Sequence, residues 1–496
     1  MKILFMSMPD TVDFLNLVTK IPNLATVSLA GSVEGHEVAV LDLVTVKPHV
    51  RKAVIETLQN FRPDLVALSA MTFQFDTLLR VAELVRATAP QAKIAAGGYH
   101  VSLMAEELTA GGKVLPLDFI IRGEGELTFR ELVEALAAGS ADLSGIKGLS
   151  YREGKTFAHN PQRELADLSA LPLPNRAARL KSDFHFYGLP LDVAETSRGC
   201  PYNCKFCSIT HMYGHTFRPF PLARVVEDLK RIKAAGTKMV FFVDDNLTYD
   251  MDHFKAVCEA IVENGLNDIE YMIQASAVGI ASSPWIVDHM DRANFRLVFV
   301  GFESMDPTAL KGVKKPSSPE INIKAANLLR EKNMSVIVGG IIGFPEDTAE
   351  TIQRQVEMLR SLGGDSLYLQ HLTPYPKTQI RQELLSMDLV VNKEGYSNYT
   401  GFACNIRTKH LTHKELKRAK RKAISHPAGI FHYFKPRSYL LRRHPVFHIT
   451  LGLKLLFQII FCKLTDRHNN AQHDMAGGPE TRWTPSPYED ERPANP

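Results

Sequence analysis

Three of the chain's six cysteines crowd into the ten-residue run Arg198-Gly199-Cys200-Pro201-Tyr202-Asn203-Cys204-Lys205-Phe206-Cys207. Their C-x3-C-x2-C spacing puts three thiolates on one tight loop. Three thiolates can bind three irons of a [4Fe-4S] cube and leave the fourth iron open to a small molecule. A structural zinc site would want four ligands, commonly as two separated pairs, and the other cysteines supply no second pair. Cys258 falls in a helical pattern, Cys404 stands alone and Cys462 lies in an apolar stretch. Each of these reads as a buried apolar residue.

Further polar groups follow apolar runs downstream. They are Phe242-Val243-Asp244-Asp245-Asn246, Gly301-Phe302-Glu303-Ser304, Gly339-Gly340-Ile341-Ile342-Gly343-Phe344-Pro345-Glu346 and Thr373-Pro374-Tyr375-Pro376-Lys377-Thr378. Taken singly, Asp244 and Asp245 suit a helix cap and Glu303 a surface acid. Their positions relative to the surrounding elements decide more. The runs 193–197, 239–243, 271–275, 297–301, 335–342 and 366–372 read as strands, with helical patterns over 222–235, 253–264, 284–293, 319–332 and 348–362 between them. Six βα repeats predict a partial (β/α)6 barrel, whose catalytic groups gather on the loops after the strands.

The first 142 residues alternate in the same way, with strands expected near 2–6, 37–42, 64–69, 93–96 and 119–122. Short apolar strands with crossover helices predict a doubly wound, flavodoxin-like α/β sheet that holds ligands beyond the strands' carboxyl ends. Small or polar residues stand at those ends: Ser7, Ser69, Thr72 and the pair Gly97-Gly98, which lets backbone approach a ligand closely. Residues 143–190, punctuated by Asn160-Pro161, Leu171-Pro172-Leu173-Pro174 and Leu189-Pro190, read as a linker.

The cysteine loop, with aromatic Phe206 before its last thiol, resembles that of the radical S-adenosylmethionine (SAM) superfamily. The segments downstream match that family's layout in chain order. The resemblance implies a [4Fe-4S] cluster on Cys200, Cys204 and Cys207. It also implies SAM contacts from Phe206, Asp244, Asp245 (amino group), Glu303 (ribose), and Gly339, Ile341, Gly343 and Glu346 (adenine side). In the closing segment Lys377 replaces the family's usual glycine.

The N-terminal part resembles the cobalamin (B12)-binding domain of one branch of that superfamily, through Pro63-Asp64-Leu65-Val66, Gly97-Gly98-Tyr99-His100 and Arg122-Gly123-Glu124-Gly125-Glu126. This implies cobalamin contacts from Ser7, Ser69, Thr72, Gly97, Gly98 and Glu124. The D-x-H-x-x-G loop that supplies a lower histidine to cobalt is absent after the first strand, so cobalamin without a histidine from this domain is expected. His36 and His100 read as structural. The branch implies a 5′-deoxyadenosyl radical formed by one-electron cleavage of SAM, and methylation of an unactivated carbon. Its ring-forming relatives, of the anaerobic porphyrin-ester cyclase type, imply oxidative cyclisation as the alternative. A non-catalytic B12 or redox sensor is a remote third reading. A flavodoxin- or ferredoxin-type electron donor follows from either enzymatic reading.

Residues 409–465 form a basic, amphipathic helical region. Eleven Lys and Arg between Lys409 and Arg443 face a single acid, Glu415, ahead of the apolar run 446–464. As a helix that run aligns Ile449, Leu453, Leu456, Ile460 and Leu464 against Thr450, Lys454 and Gln458. It is shorter than the roughly 20 uncharged residues of a spanning helix, and a helix lying in the membrane interface suits it. The alternative is packing on the barrel. Residues 466–496 read as a disordered tail.

Composition bounds the rest. The 496 residues are 45% apolar and 23% charged, a globular mix, with a net charge of +4 that argues for no nucleic-acid partner. Six cysteines are too few for a secreted disulfide scaffold. The N-terminus reads as a first strand, not a signal peptide. The protein is expected in the cytoplasm, peripherally on the inner membrane face, acting on a small, lipid-like substrate.

Overall fold

The computed structural model describes residues 1–11, 19–112 and 114–425, with the isolated positions 445, 453 and 475. The described chain divides into two compact units, Met1–His185 with His211–Tyr213 and residue 475, and Phe186–Thr210 with 214–425 and residues 445 and 453.

In the first unit β1 (Lys2–Ser7), β2 (Glu37–Asp42), β3 (Leu65–Ser69), β4 (Lys93–Gly97) and β5 (Phe119–Ile121) run parallel in the order β2-β1-β3-β4-β5. Helices α1 (Leu24–Gly31), α2 (Val50–Phe61), α3 (Phe75–Thr88) and α4 (Gly125–Ala137) lie among the crossovers. The strands are apolar on both faces, so helices must cover both. Leu4, Met6, Val66, Leu68 and Ile94 pack with residues of α2 and α3, whereas Ile3, Phe5, Leu65 and Ala67 pack with those of α1 and α4. This is the expected doubly wound sheet.

The stretch read as a linker carries structure of its own. β6 (Leu149–Glu153) and β7 (Thr156–His159) add an antiparallel hairpin to β5, turned at Gly154, whose φ is +63°. The first unit therefore continues past residue 142 to His185. The two arms are so short that their alternation hides among the prolines.

The second unit is built on β8 (Leu189–Ala194), β9 (Met239–Phe242), β10 (Glu270–Ser276), β11 (Phe295–Glu303), β12 (Ser335–Ile342) and β13 (Ser366–His371), each parallel to the next. Helices α5 (Leu222–Ala234), α6 (Met251–Glu263), α7 (Ile286–Arg292), α8 (Pro319–Glu331) and α9 (Ala349–Ser361) alternate with them. One strand face is aromatic: Phe242 stacks on Tyr271 and Phe295, and Phe254 of α6 meets Phe295 edge-on. The opposite face buries Leu191, Met239, Met272 and Leu297 at the amino-terminal end of the strands. Toward the carboxyl ends that face becomes half-buried and more polar, at Gln274, Phe299, Glu303, Tyr368 and Gln370. Six parallel strands form the expected partial barrel.

After the barrel, α10 (His413–Ile424) opens on a capping box between Thr412 and Glu415. Leu416, Ala419, Lys420 and Ala423 are buried, and Arg360 of α9 donates to the Ala423 and Ile424 carbonyls at 3.0 and 2.7 Å. Lys414, Lys417, Arg418, Arg421 and Lys422 are exposed. The expected apolar helix over 446–464 and the tail over 466–496 lie outside the described residues, isolated positions apart. Among the described residues no helix is long and apolar enough to cross a membrane.

Candidate active site

The loop after β8 is fixed at both ends before it offers its thiols. Ser197–Arg198 pairs with Arg218–Pro219, and Gly199 follows at φ +89°, where a Cβ would lie 2.4 Å from the Thr216 carbonyl oxygen. Only glycine fits that crossing. Beyond it the Lys205 N–H donates to the Val313 carbonyl at 3.0 Å, and the Lys205 carbonyl accepts from the Ile380 N–H at 3.0 Å. Lys205 also pairs with Glu383 at 2.8 Å.

Cys200, Cys204 and Cys207 are free and half-buried, as is Phe206. Burial pushes all three thiols up, Cys204 to about 11 and Cys207 to about 12. Such thiols ionise when a metal supplies the missing charge. Among the described residues no three His, Cys, Asp or Glu side chains gather tightly enough to hold a single ion. The C-x3-C-x2-C spacing offers one donor to each of three irons. Soft thiol donors, half-buried on one loop, fit an iron–sulfur cube.

Asp244 and Asp245, just past β9, clamp the start of this loop. Buried Asp244 accepts from the Thr196 N–H at 3.0 Å, the Thr196 hydroxyl at 2.7 Å and the Ser197 hydroxyl at 2.6 Å. Desolvation still raises its carboxyl to about 7. Asp245 accepts from the Gly199 N–H at 2.8 Å, and burial raises it to about 6. The Asn246 amide donates to Cys200 Sγ at 3.7 Å. The pair of acids therefore first shapes the cysteine loop. Asp245 keeps its second oxygen for another donor, whereas the Asp244 carboxylate already takes three donor groups.

Glu303 ends β11 at φ +60°, in the left-handed region, where the register with β12 breaks between Gly301 and Glu303. Its carboxylate accepts from Lys315 at 2.8 Å. Gln355 donates to the Glu303 carbonyl at 3.2 Å, and Asn322 to the Ser304 carbonyl at 3.0 Å, so the strand end is held from two helices.

On β12, Gly339 leaves room for the Phe299 ring, which a Cβ would meet at 2.9 Å. Ile341 is buried. Gly343 turns at φ +89°, and the Asp347 carboxylate accepts from the Gly343 and Phe344 N–H groups at 2.7 and 3.0 Å. Glu346 points outward, exposed and paired with Lys409 and His410, which lower its pKa. The acid that organises this turn is Asp347. Lys377 holds φ +65°, in the left-handed region that favours glycine.

In the first unit the predicted shelf residues share one edge. Ser7 lies in register with Asp42 and Ser69, and Ser69 with Gly97. Gly98 has φ +97°, and a Cβ there would sit 2.5 Å from the Ala70 carbonyl oxygen. Thr72 is buried in the turn that follows β3. A shelf of hydroxyls and bare backbone fits a large flat ring such as cobalamin. Glu124, by contrast, is occupied: it accepts from the Ala166 N–H at 2.9 Å. His100 is fully buried 4.5 Å from the Phe75 ring, and desolvation lowers its pKa to about 4. The His36 ring meets the N-terminal amine at 3.3 Å.

Residues 194–359 match the Radical SAM superfamily and residues 11–133 the B12 binding domain. The chain belongs to the B12-binding radical SAM family. An uncharacterized methyltransferase of Pyrococcus horikoshii is 29% identical over 93% of this chain and 99% of its own length. The hopanoid C-3 methylase of Methylococcus capsulatus is 27% identical over 70% of this chain, which spans 65% of that relative. In fold, this B12-binding radical SAM chain resembles the solved methyltransferase TsrM from Kitasatospora setae, seen with cobalamin and a [4Fe-4S] cluster. The TM-score is 0.65 at 21% identity, over 79% of this chain and 76% of that one.

Several residues that build this site were silent in the sequence: Thr196, Ser197, Lys315, Asn322 and Gln355. Their partners lie between 12 and 52 positions away, beyond any local pattern. Asp347 could have been found, as an acid four residues after a positive-φ glycine.

Proposed function

We propose that this protein is a cobalamin-dependent radical SAM enzyme that methylates an unactivated carbon of a lipophilic, isoprenoid- or hopanoid-like substrate. The observation that carries this reading is that one chain holds both a loop of three half-buried thiols and a shelf of hydroxyls and bare glycine backbone. The methyltransferase and methylase relatives support methyl transfer.

When bound, the [4Fe-4S] cluster, SAM and cobalamin supply the radical and methyl chemistry. Cys200, Cys204 and Cys207 would hold the cluster, with Asp244, Asp245 and Asn246 fixing their loop. Ser7, Ser69, Thr72, Gly97 and Gly98 would seat cobalamin. Phe299, Tyr368 and Phe402, linked edge-on at 5.4 and 4.6 Å, give the barrel's inner face an aromatic wall that excludes water from a radical and suits an apolar substrate. A flavodoxin- or ferredoxin-class partner would deliver the electron. The basic face of α10 supports peripheral contact with an anionic membrane, where such a substrate resides.

The test is anaerobic incubation of reconstituted protein with methyl-deuterated SAM, reductant and lipid extract. Deoxyadenosine together with a labelled lipid is expected. Deoxyadenosine with bound cobalamin but no label would rule out methyl transfer, and a product that had lost hydrogen without gaining carbon would mark an oxidative cyclase.

A further inference from the structure

Lys315 stands outside every motif that the sequence offers, yet three features of the fold converge on its ammonium. The first is its tether. Its own N–H donates to the Leu310 carbonyl at 2.9 Å, and two residues earlier the Val313 carbonyl takes the Lys205 N–H at 3.0 Å. Lys205 lies between Cys204 and Phe206, so the segment bearing Lys315 is stitched by backbone to the middle of the cysteine loop.

The second feature is its partner. Glu303 reaches Lys315 from a left-handed backbone at φ +60°, a conformation that a non-glycine residue adopts at a cost. The third is the space between them. A Cβ on Gly301 would fall 2.5 Å from the Glu303 Oε1 and 3.2 Å from the Lys315 Nζ, so any side chain there would push the pair apart. Lys315 is 11% exposed and Glu303 13%. An ion pair buried that far is weak as a stabilising device, because desolvation cancels much of its attraction. A fold that holds it through a strained residue, a register break and a required glycine keeps it for its charge.

What would use that charge is the cluster, as the proposed function reads it; the inference rests on that reading. A cube bound by three thiolates is anionic when oxidised and more so when reduced. A nearby buried cation therefore favours the reduced form, and a nearby carboxylate opposes it. We propose that Lys315 is a positioning residue for electron transfer: its ammonium raises the reduction potential of the cluster held by Cys200, Cys204 and Cys207, and Glu303 sets how much of that charge the cluster feels. The step is one electron passing from a reduced flavodoxin- or ferredoxin-class donor, itself oxidised by one electron, to the cluster. No bond forms or breaks, and no proton moves, since Lys315 is an ammonium before and after.

The experiment measures potential, not turnover. Full-length wild type, Lys315→Met, Lys315→Arg and Glu303→Gln are reconstituted anaerobically and assayed for iron and sulfide. Each is then titrated by EPR-monitored reduction without SAM and again with it. Without SAM, Lys315→Met is expected to shift the potential negative, Glu303→Gln positive, and Lys315→Arg to stay near wild type. Unshifted potentials in fully loaded Lys315→Met and Glu303→Gln proteins overturn the proposal. So does a shift that appears only with SAM, which would give Lys315 to the reagent's carboxylate. If Lys315→Met fails to retain iron, Glu303→Gln decides alone: a positive shift supports the proposal and none overturns it. A wild-type chain that takes up no iron or sulfide overturns the functional reading beneath it as well.

Discussion

Asp244 accepts three groups from Thr196 and Ser197 with no cation against it, and burial raises its carboxyl to about 7. A folded-state pKa above the unfolded value of roughly 3.9 means that the folded chain binds more protons between those limits. That contribution to stability is present at low pH and is lost as pH rises toward 7. Asn in its place keeps the shape, but its amide group faces donors. Asp244→Asn should therefore cost about 1–3 kcal/mol at pH 5, and the gap to wild type should narrow by pH 7.5. Thermal unfolding of the metal-free chain at the two pH values checks the sign. Lys377 presents the opposite case, a side chain where φ is +65°. Lys377→Gly relieves a left-handed strain of about 1–2 kcal/mol and returns part of it to the unfolded chain's entropy. A net gain of about 0.5–1 kcal/mol in the same assay is expected.

At the scale of elements, legibility followed the range of the forces. β12 was expected over 335–342 and lies at Ser335–Ile342, because Val336, Val338 and Ile342 need burial wherever the strand goes. The helix expected over 284–293 starts later and is preceded by a separate turn of helix over Ala277–Ser282. There Gly279 accommodates the Thr248 carbonyl, which a Cβ would meet at 2.0 Å. That long-range contact leaves no periodic trace.

α10 shows the same limit. Its exposed lysines and arginines announce a surface helix, but Lys420 is buried, 5.3 Å from the Phe402 ring and 3.4 Å from His371. Burial lowers Lys420 to about 8. A folded lysine pKa below the unfolded value of roughly 10.4 means that stability rises with pH between those limits, as the unfolded chain holds the extra proton. Lys420→Met should abolish that rise and stabilise the docked helix at pH 7 by about 1–3 kcal/mol. The difference between wild-type and variant melting curves from pH 7 to 10 tests it; a parallel pair of curves would show that Lys420 is not held down by its surroundings.

The whole molecule carries little net charge, +4 over 496 residues, so its distribution decides what the surface attracts. Acids and bases alternate through the two sheet units, but the described chain ends on a helix showing Lys414, Lys417, Arg418, Arg421 and Lys422 to solvent. Beyond it the sequence adds Lys435, Arg437, Arg442 and Arg443 before the apolar run 446–464. Each cation beside an anionic bilayer contributes about 1 kcal/mol, and that attraction fades within about 10 Å in 0.1 M salt. Because α10 is seated by Arg360 and by its buried face, two reversals on its outer stripe, Lys417→Glu with Arg421→Glu, change surface charge without touching the core. The full-length variant should bind phosphatidylserine vesicles at least about tenfold more weakly than wild type in sedimentation. Wild-type binding should fall as salt rises and be absent on neutral phosphatidylcholine. Equal sedimentation of variant and wild type would mean that any membrane contact is made by residues beyond 425 alone, and that the charge of α10 serves only to keep it in water.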